Sequence, residues 1–313
     1  MRTARAAAQA VWASLLLAGS SCGSRQQFAR LGDLPLERGG AIHDCRLGYR
    51  TFGRLDDARS NAILFLTWME GTSAQLAWHV GPGRLLDSDR FFVVAVDALG
   101  NGVSSSPSNS SAQPGERFPT FTIRDLVESQ RRLVTGELKL GRLKAVVGIS
   151  LGGMQALEWA TSHPSMVEKV VAIAASPRLH PSDLEFWRSG GQTARPETVR
   201  ERVVRAIARV APFDALLHAG IDPLDHRRQI QALLAHDISA PLGGSMERVA
   251  AAVRAQMLIV VSERDDVVNS APALELARLT RAQTVTLDGR CGHQATRCER
   301  ELMWSAVRRF LAE

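Results

Sequence analysis

The chain has 313 residues, 45% of them hydrophobic and 22% charged, which is enough apolar material for one large domain with an insertion and excludes a disordered polymer. Its net charge of +6 rests on arginine, because Lys139, Lys144 and Lys169 are the only lysines, and the basic residues interleave with acids along helical stretches. This is a solvated surface rather than a nucleic-acid patch, with at most a modest pull on anionic small molecules such as a phosphorylated cofactor.

The first residues read as a leader spanning 1–24. Arg2 and Arg5 give a positive start, Val11 to Ala18 a short apolar core, and Ala18-Gly19-Ser20 small residues at a cleavage spacing. The apolar run is too short to span a bilayer. Cys22-Gly23-Ser24 offers a lipid-attachment site, although Gly19 stands where such a site prefers an aliphatic residue. The leader predicts an exported protein, touching a membrane only through an anchor at Cys22. If the leader is no signal, the protein is cytoplasmic.

Mature sequence is expected from near Leu31, with core segments over 31–178 and 251–313. The first buried strand is Ala62-Ile63-Leu64-Phe65-Leu66, and it runs into Thr67-Trp68-Met69-Glu70-Gly71-Thr72. Phe91 to Val96 forms another strand, followed by a polar loop from Asp97 to Pro107. Thr122 with Asp125 three residues on reads as a helix N-terminus.

Lys144 to Ile149 is an apolar strand, and Met154 to Ala160 opens a helix. Between them stands Gly148-Ile149-Ser150-Leu151-Gly152, a nucleophile elbow. The glycines on either side remove Cβ atoms that a turn this sharp would bring into collision. Ser150 is then the nucleophile, exposed over the sheet edge at the positive end of the helix. The backbone N–H of Leu151 becomes one oxyanion donor. A second is expected from the loop after Leu66, where Gly71 lets the chain fold inward. Trp68 and Met69 are the candidates, with Met69 preferred.

Val170 to Ala174 is the next strand. From 179 to 250 the pattern becomes helical, punctuated by Pro181, Pro196, Pro212, Pro223 and Pro241, with Thr198 to Val210 a clear amphipathic stretch. An all-helical lid inserted between the fifth and sixth core strands fits this pattern; extra helices packed elsewhere are the alternative.

Met257 to Val261 is a continuous β-branched strand running into Ser262-Glu263-Arg264-Asp265-Asp266. An acid at that strand end can hold a catalytic histidine. Asp265 and Asp266 compete, and Asp265, three residues after Ser262, is favoured. After a helix at Ala271 to Ala277 and a strand at Thr284 to Leu287, the loop Gly289-Arg290-Cys291-Gly292-His293 supplies the base. The chain order is thus Ser150, Asp265, His293. Cys291 and Cys298 flank that histidine and form either a disulfide or two reduced thiols. No metal-ligand spacing is present.

The stretches Gly81 through Phe92, Phe118 through Val127, Gly148 through Trp159 and Gly292-His293 resemble α/β-hydrolase-fold acyltransferases of the homoserine O-acetyltransferase type. The resemblance implies an α/β-hydrolase fold: a mostly parallel sheet, helices on both faces and an inserted helical lid. It implies a serine enzyme with no bound cofactor, in which Ser150 carries an acyl group from acetyl-CoA or another thioester to a small acceptor hydroxyl. The departures concern the substrate. The elbow is Gly148-Ile149-Ser150-Leu151-Gly152-Gly153 where the family has Gly-Gly-Ser-Met-Gly-Gly, and Gly100-Asn101-Gly102-Val103-Ser104-Ser105 replaces its Gly-Gly-Cys segment. Arg188 stands near the position of the family's substrate-holding lid arginine, in a segment that does not match closely. Two other readings compete with acyl transfer: an exported esterase-like hydrolase using the same triad, and an inactive binding scaffold.

Overall fold

The computed structural model describes residues 24–191, 221–288 and 291–313. The expected leader, Cys22 and the helix over Thr198 to Val210 lie outside the described residues.

Eight strands among the described residues form one sheet. In chain order they are β1 (Gln27–Pro35), β2 (Ala41–Phe52), β3 (Ala62–Leu66), β4 (Phe92–Val96), β5 (Leu143–Ile149), β6 (Val167–Ile173), β7 (Gln256–Ser262) and β8 (Gln283–Leu287). The spatial order is β1-β2-β4-β3-β5-β6-β7-β8. From β4 to β8 every neighbouring pair is parallel, while β1 and β2 form an antiparallel hairpin on the edge beside β4.

That hairpin corrects the expected start of the core at Leu31, since β1 is already paired at Gln27. Register shifts between Arg30 and Gly32 and between Gly32 and Leu34 break the two-residue alternation, and only Ala29 and Leu34 of β1 are buried. A bulged edge strand with two inward residues leaves no period for a sequence pattern to show. The hairpin also moves the insertion, which lies between the sixth and seventh strands rather than the fifth and sixth.

The inner parallel strands β3 to β7 are mostly buried on both faces, which explains their long apolar stretches, while the edge strand β8 buries only Leu287. Along β3, Leu64 and Leu66 join one core cluster, while Ile63 and Phe65 join the other. The helices are α1 (Ser73–Leu76), α2 (Ile123–Arg132), α3 (Leu151–Ser162), α4 (Pro181–Gly191), α5 (Pro223–Leu234), α6 (Met246–Ala252), α7 (Ala271–Thr280), α8 (Ala295–Cys298) and α9 (Arg300–Ala312). Helices α2, α3 and α7 pack into the first cluster; α9 covers the second through Met303, Val307, Phe310 and Leu311. Each such fully buried large side chain stabilises the fold by about 1.5–3 kcal/mol. As expected, Thr122 and Asp125 cap α2 reciprocally, side chain to backbone in both directions.

The described part of the 179–250 segment contains α4, α5, a short turn of helix at Ala240–Leu242 and α6. These helices leave the sheet at the C-terminal end of β6 and return to it at the N-terminal end of β7, and the loops after β3, β4, β5, β7 and β8 gather at the same edge as the end of β6. Function in an open parallel sheet collects at that edge.

Candidate active site

Ser150 sits between β5 and α3 with φ 55° and ψ −121°. A non-glycine residue there costs about 1–3 kcal/mol and persists only where its surroundings dictate it. Here they do. The Ser150 N–H donates to the carbonyl of Ile173 at 2.8 Å, and the Ser150 carbonyl accepts the Met154 N–H at 3.1 Å. A Cβ at Gly148 would lie 2.0 Å from the Gly152 carbonyl oxygen, and one at Gly152 would lie 2.3 Å from that of Leu66. The two glycines therefore let the turn close and seat the start of α3 against the end of β3.

His293 reaches the serine from the loop after β8. Ser150 Oγ–H donates to His293 Nε2 at 3.0 Å, and His293 Nδ1–H donates to Asp265 Oδ2 at 2.8 Å. The Asp265 side chain is 2% exposed. Its other oxygen accepts the backbone N–H groups of Val267 and Val268, both at 2.9 Å. One carboxylate oxygen thus faces the imidazole while the other is anchored in its own turn. Asp266 is exposed, and its Oδ1 lies 2.7 Å from where a Cβ on Gly292 would stand. Gly292 adopts φ 53° and its carbonyl accepts the Ser262 hydroxyl at 2.9 Å, which ties the histidine loop to the end of β7. Between the two aspartates, only Asp265 meets the histidine.

Burial is the largest influence on His293 and pulls its pKa down, but the charge and hydrogen bond of Asp265, with Asp266 and Asp183 behind them, outweigh it and hold the pKa above the ordinary value. A base must be neutral to accept the serine proton. The acid limb of a kcat/KM profile should therefore inflect above the usual histidine value of about 6.5. Asp265→Asn removes the largest raising influence and should shift that limb to lower pH. A limb at or below 6.5 in the wild type would contradict the arrangement.

The second oxyanion candidate also lies close to the elbow. Gln155, on α3, donates to the Thr67 carbonyl at 3.3 Å, and Gly152 rests on Leu66 and Thr67. The turn from Trp68 to Gly71 follows directly. Leu151 is the first residue of α3, where helix geometry leaves the backbone N–H without an intrahelical acceptor. The Met69 N–H meets no protein acceptor among the described residues.

Cys291 and Cys298 form a disulfide closing a loop of sequence separation 7 around His293. For a loop this short the chain-entropy argument gives about 2–3 kcal/mol. Reduction, or paired Cys291→Ser and Cys298→Ser, should lower the melting temperature and slow turnover, read by thermal melts and rates with and without dithiothreitol. Equal melts would remove the disulfide from the stability of this loop.

Arg188 lies exposed on α4, and no hydrogen bond or ion pair joins it to Ser150, Asp265 or His293 among the described residues. No three His, Cys, Asp or Glu side chains among those residues converge as metal ligands, and no described helix is long and apolar enough to cross a membrane.

Several residues near the site escaped sequence reasoning. Asp183, on α4, accepts the Asn269 N–H at 3.1 Å, adds to the field on His293, and has its own pKa raised by burial. Its place in the first turn of a helix was the only clue. Glu70, His226 and Gln229 join α5 to the turn carrying Met69, and nothing local marks them.

A family model described as the alpha/beta hydrolase fold matches residues 70–212. A probable esterase of Corynebacterium glutamicum is 36% identical over 174 residues, covering 55% of this chain and 50% of that protein. A homoserine O-acetyltransferase of Thermobifida fusca is 36% identical over 209 residues, covering 57% and 55%. The chain thus spans about half the length of the curated relatives it matches. Among solved structures, an acetylester hydrolase from Corynebacterium glutamicum superposes with a TM-score of 0.79 over 92% of this chain and 96% of its own, at 23% identity, a likeness of fold.

Proposed function

From the premise that this chain is an α/β-hydrolase-fold enzyme with homoserine O-acyltransferase and esterase relatives, we propose that it transfers acyl groups through an acyl-Ser150 intermediate. The observation carrying this reading is the continuous relay from Ser150 through His293 to Asp265, at 3.0 and 2.8 Å, on a strained elbow. In the first half-reaction Ser150 Oγ attacks the acyl carbonyl carbon while His293 Nε2 takes the hydroxyl proton. The tetrahedral oxyanion is held by the N–H groups of Leu151 and Met69. Collapse expels the thiol or alcohol, which leaves with the proton from His293. In the second half, His293 deprotonates an acceptor hydroxyl, which attacks the acyl-serine and frees Ser150. Asp265 fixes the tautomer and steadies the imidazolium throughout.

The acceptor decides between transfer and hydrolysis. A small hydroxyl compound such as homoserine gives acyl transfer, with a thioester such as acetyl-CoA as co-substrate. Water gives an esterase, a second reading supported by the probable esterase among the relatives. Both use every residue named above; acceptor contacts and water exclusion separate them. The charged and apolar leader supports export, and Arg188 remains a proposed contact for an acceptor carboxylate. The test is thiol release from acetyl-CoA by leaderless protein, with and without L-homoserine, alongside turnover of 4-nitrophenyl acetate. Homoserine-dependent release establishes transfer. Ester turnover without it establishes a hydrolase, and neither activity would defeat the proposal.

A further inference from the structure

The turn from Trp68 to Gly71 is unusual for the residue at its third position. Gly71 N–H donates to the Trp68 carbonyl at 2.9 Å, and Glu70 between them adopts φ 61°. Turns of this kind place glycine or asparagine at that position, because a side chain disfavours positive φ. The peptide linking Trp68 and Met69 is planar and trans, so holding its carbonyl toward Gly71 points the Met69 N–H the opposite way. The direction of that N–H therefore depends on the turn keeping its form.

The form is held from outside. The middle peptide of the turn offers the Glu70 N–H, which donates to Gln229 Oε1 at 2.7 Å. An opening of the turn at Gly71, which would free the Trp68–Met69 peptide to rotate, would carry this N–H away from Gln229. Gln229 cannot follow, because its Nε2 donates to the Leu99 carbonyl at 3.1 Å and the residue is 0% exposed. One amide so bridges the loops after β3 and β4, with each end assigned by what it meets. His226, three residues earlier on the same face of α5, pairs through Nδ1 with the Glu70 carboxylate. Helix α5 thus grips Glu70 by both its backbone and its side chain. The helix is itself tied down: Ser108 N–H donates to Asp225 at 2.9 Å, and Arg228 donates to the Phe118 carbonyl at 3.0 Å.

We propose that Gln229, assisted by His226, is a positioning residue that keeps the turn carrying Met69 closed, so that helix α5 sets the direction of the second oxyanion donor. The proposal rests on the reading of Ser150 as nucleophile and of the Met69 N–H as an oxyanion donor. It makes α5 part of the transition-state machinery. A displaced oxyanion donor acts on the tetrahedral species far more than on the bound substrate, so the loss falls on kcat and spares KM.

The test compares Gln229→Met, of similar length but without donor or acceptor, with Leu233→Ala, a buried change on the same helix. Readouts are melting temperature, kcat and KM on 4-nitrophenyl acetate, and the rate of Ser150 labelling by a fluorophosphonate. Gln229→Met should slow labelling and lower kcat by about 10²-fold with KM nearly unchanged. Leu233→Ala should lose melting temperature at least as much while labelling at close to the wild-type rate. If Gln229→Met fails to fold, Gln229→Glu, which keeps an oxygen for the Glu70 N–H, should label within about tenfold of wild type. Equal labelling by wild type and Gln229→Met, or equal slowing by Leu233→Ala, overturns the proposal, as does loss of labelling in a folded Gln229→Glu. A folded wild type that takes no label overturns the serine-enzyme reading itself, and this proposal with it.

Discussion

Ser150→Ala should abolish covalent labelling by a fluorophosphonate and reduce turnover of any acyl substrate by on the order of 10⁶-fold, the loss typical when the nucleophile of a cooperating triad is removed. The reason is chemical. No other hydroxyl in the described structure is bonded to His293 Nε2, which accepts from Ser150 at 3.0 Å. Alanine leaves the base and the oxyanion donors in place with nothing to attack the carbonyl carbon. The fold should tolerate the change, since the backbone bonds of Ser150 to Ile173 and Met154 do not involve its side chain. The measurement is mass spectrometry of labelled protein beside a thermal melt. A label persisting on the folded variant would assign the nucleophile elsewhere.

Asp265→Asn should lower kcat by on the order of 10⁴-fold with the melting temperature little changed, while Asp266→Asn should cost less than about tenfold. An asparagine at 265 can still accept the Val267 and Val268 N–H groups through its oxygen, so the turn survives. Its amide then faces His293 as a donor, which forces the proton onto Nε2 and leaves no lone pair for the Ser150 hydroxyl. Asp266 is exposed and acts on His293 only through its charge. Steady-state rates of the two variants decide the matter, and the reverse ranking would transfer the role to Asp266.

Both predictions concern residues that are legible in the amino-acid sequence. Ser150 announces itself because the backbone strain of the elbow must be relieved within a few residues, and Gly148 and Gly152 record that relief. The pair Asp265 and Asp266 is marked by standing just after an apolar run long enough to be a buried strand, and His293 by standing in a glycine-containing loop after the last, alternating strand. The edge hairpin is not legible, because bulges at Gly32 scramble its alternation. The strand boundaries elsewhere move by a few residues only, as at β6, where pairing begins at Val167 rather than Val170.

By itself the sequence determined the order of the parallel strands and the helices between them, and singled out Ser150, His293 and a pair of neighbouring acids as the proposed catalytic groups. It could do so because each of these is imposed by interactions closed within a short segment, which must leave a short pattern of glycines, apolar runs and acids. Tertiary structure alone decided that Asp265 and not Asp266 faces the imidazole, since adjacent side chains leave a turn in different directions and only packing selects one. Tertiary structure alone also brought Gln229 to Glu70 across 159 residues of chain. A glutamine on a helix looks the same in sequence whether its amide meets water or a distant backbone N–H, because the bond that distinguishes them exists only once the sheet has folded and the helix has docked.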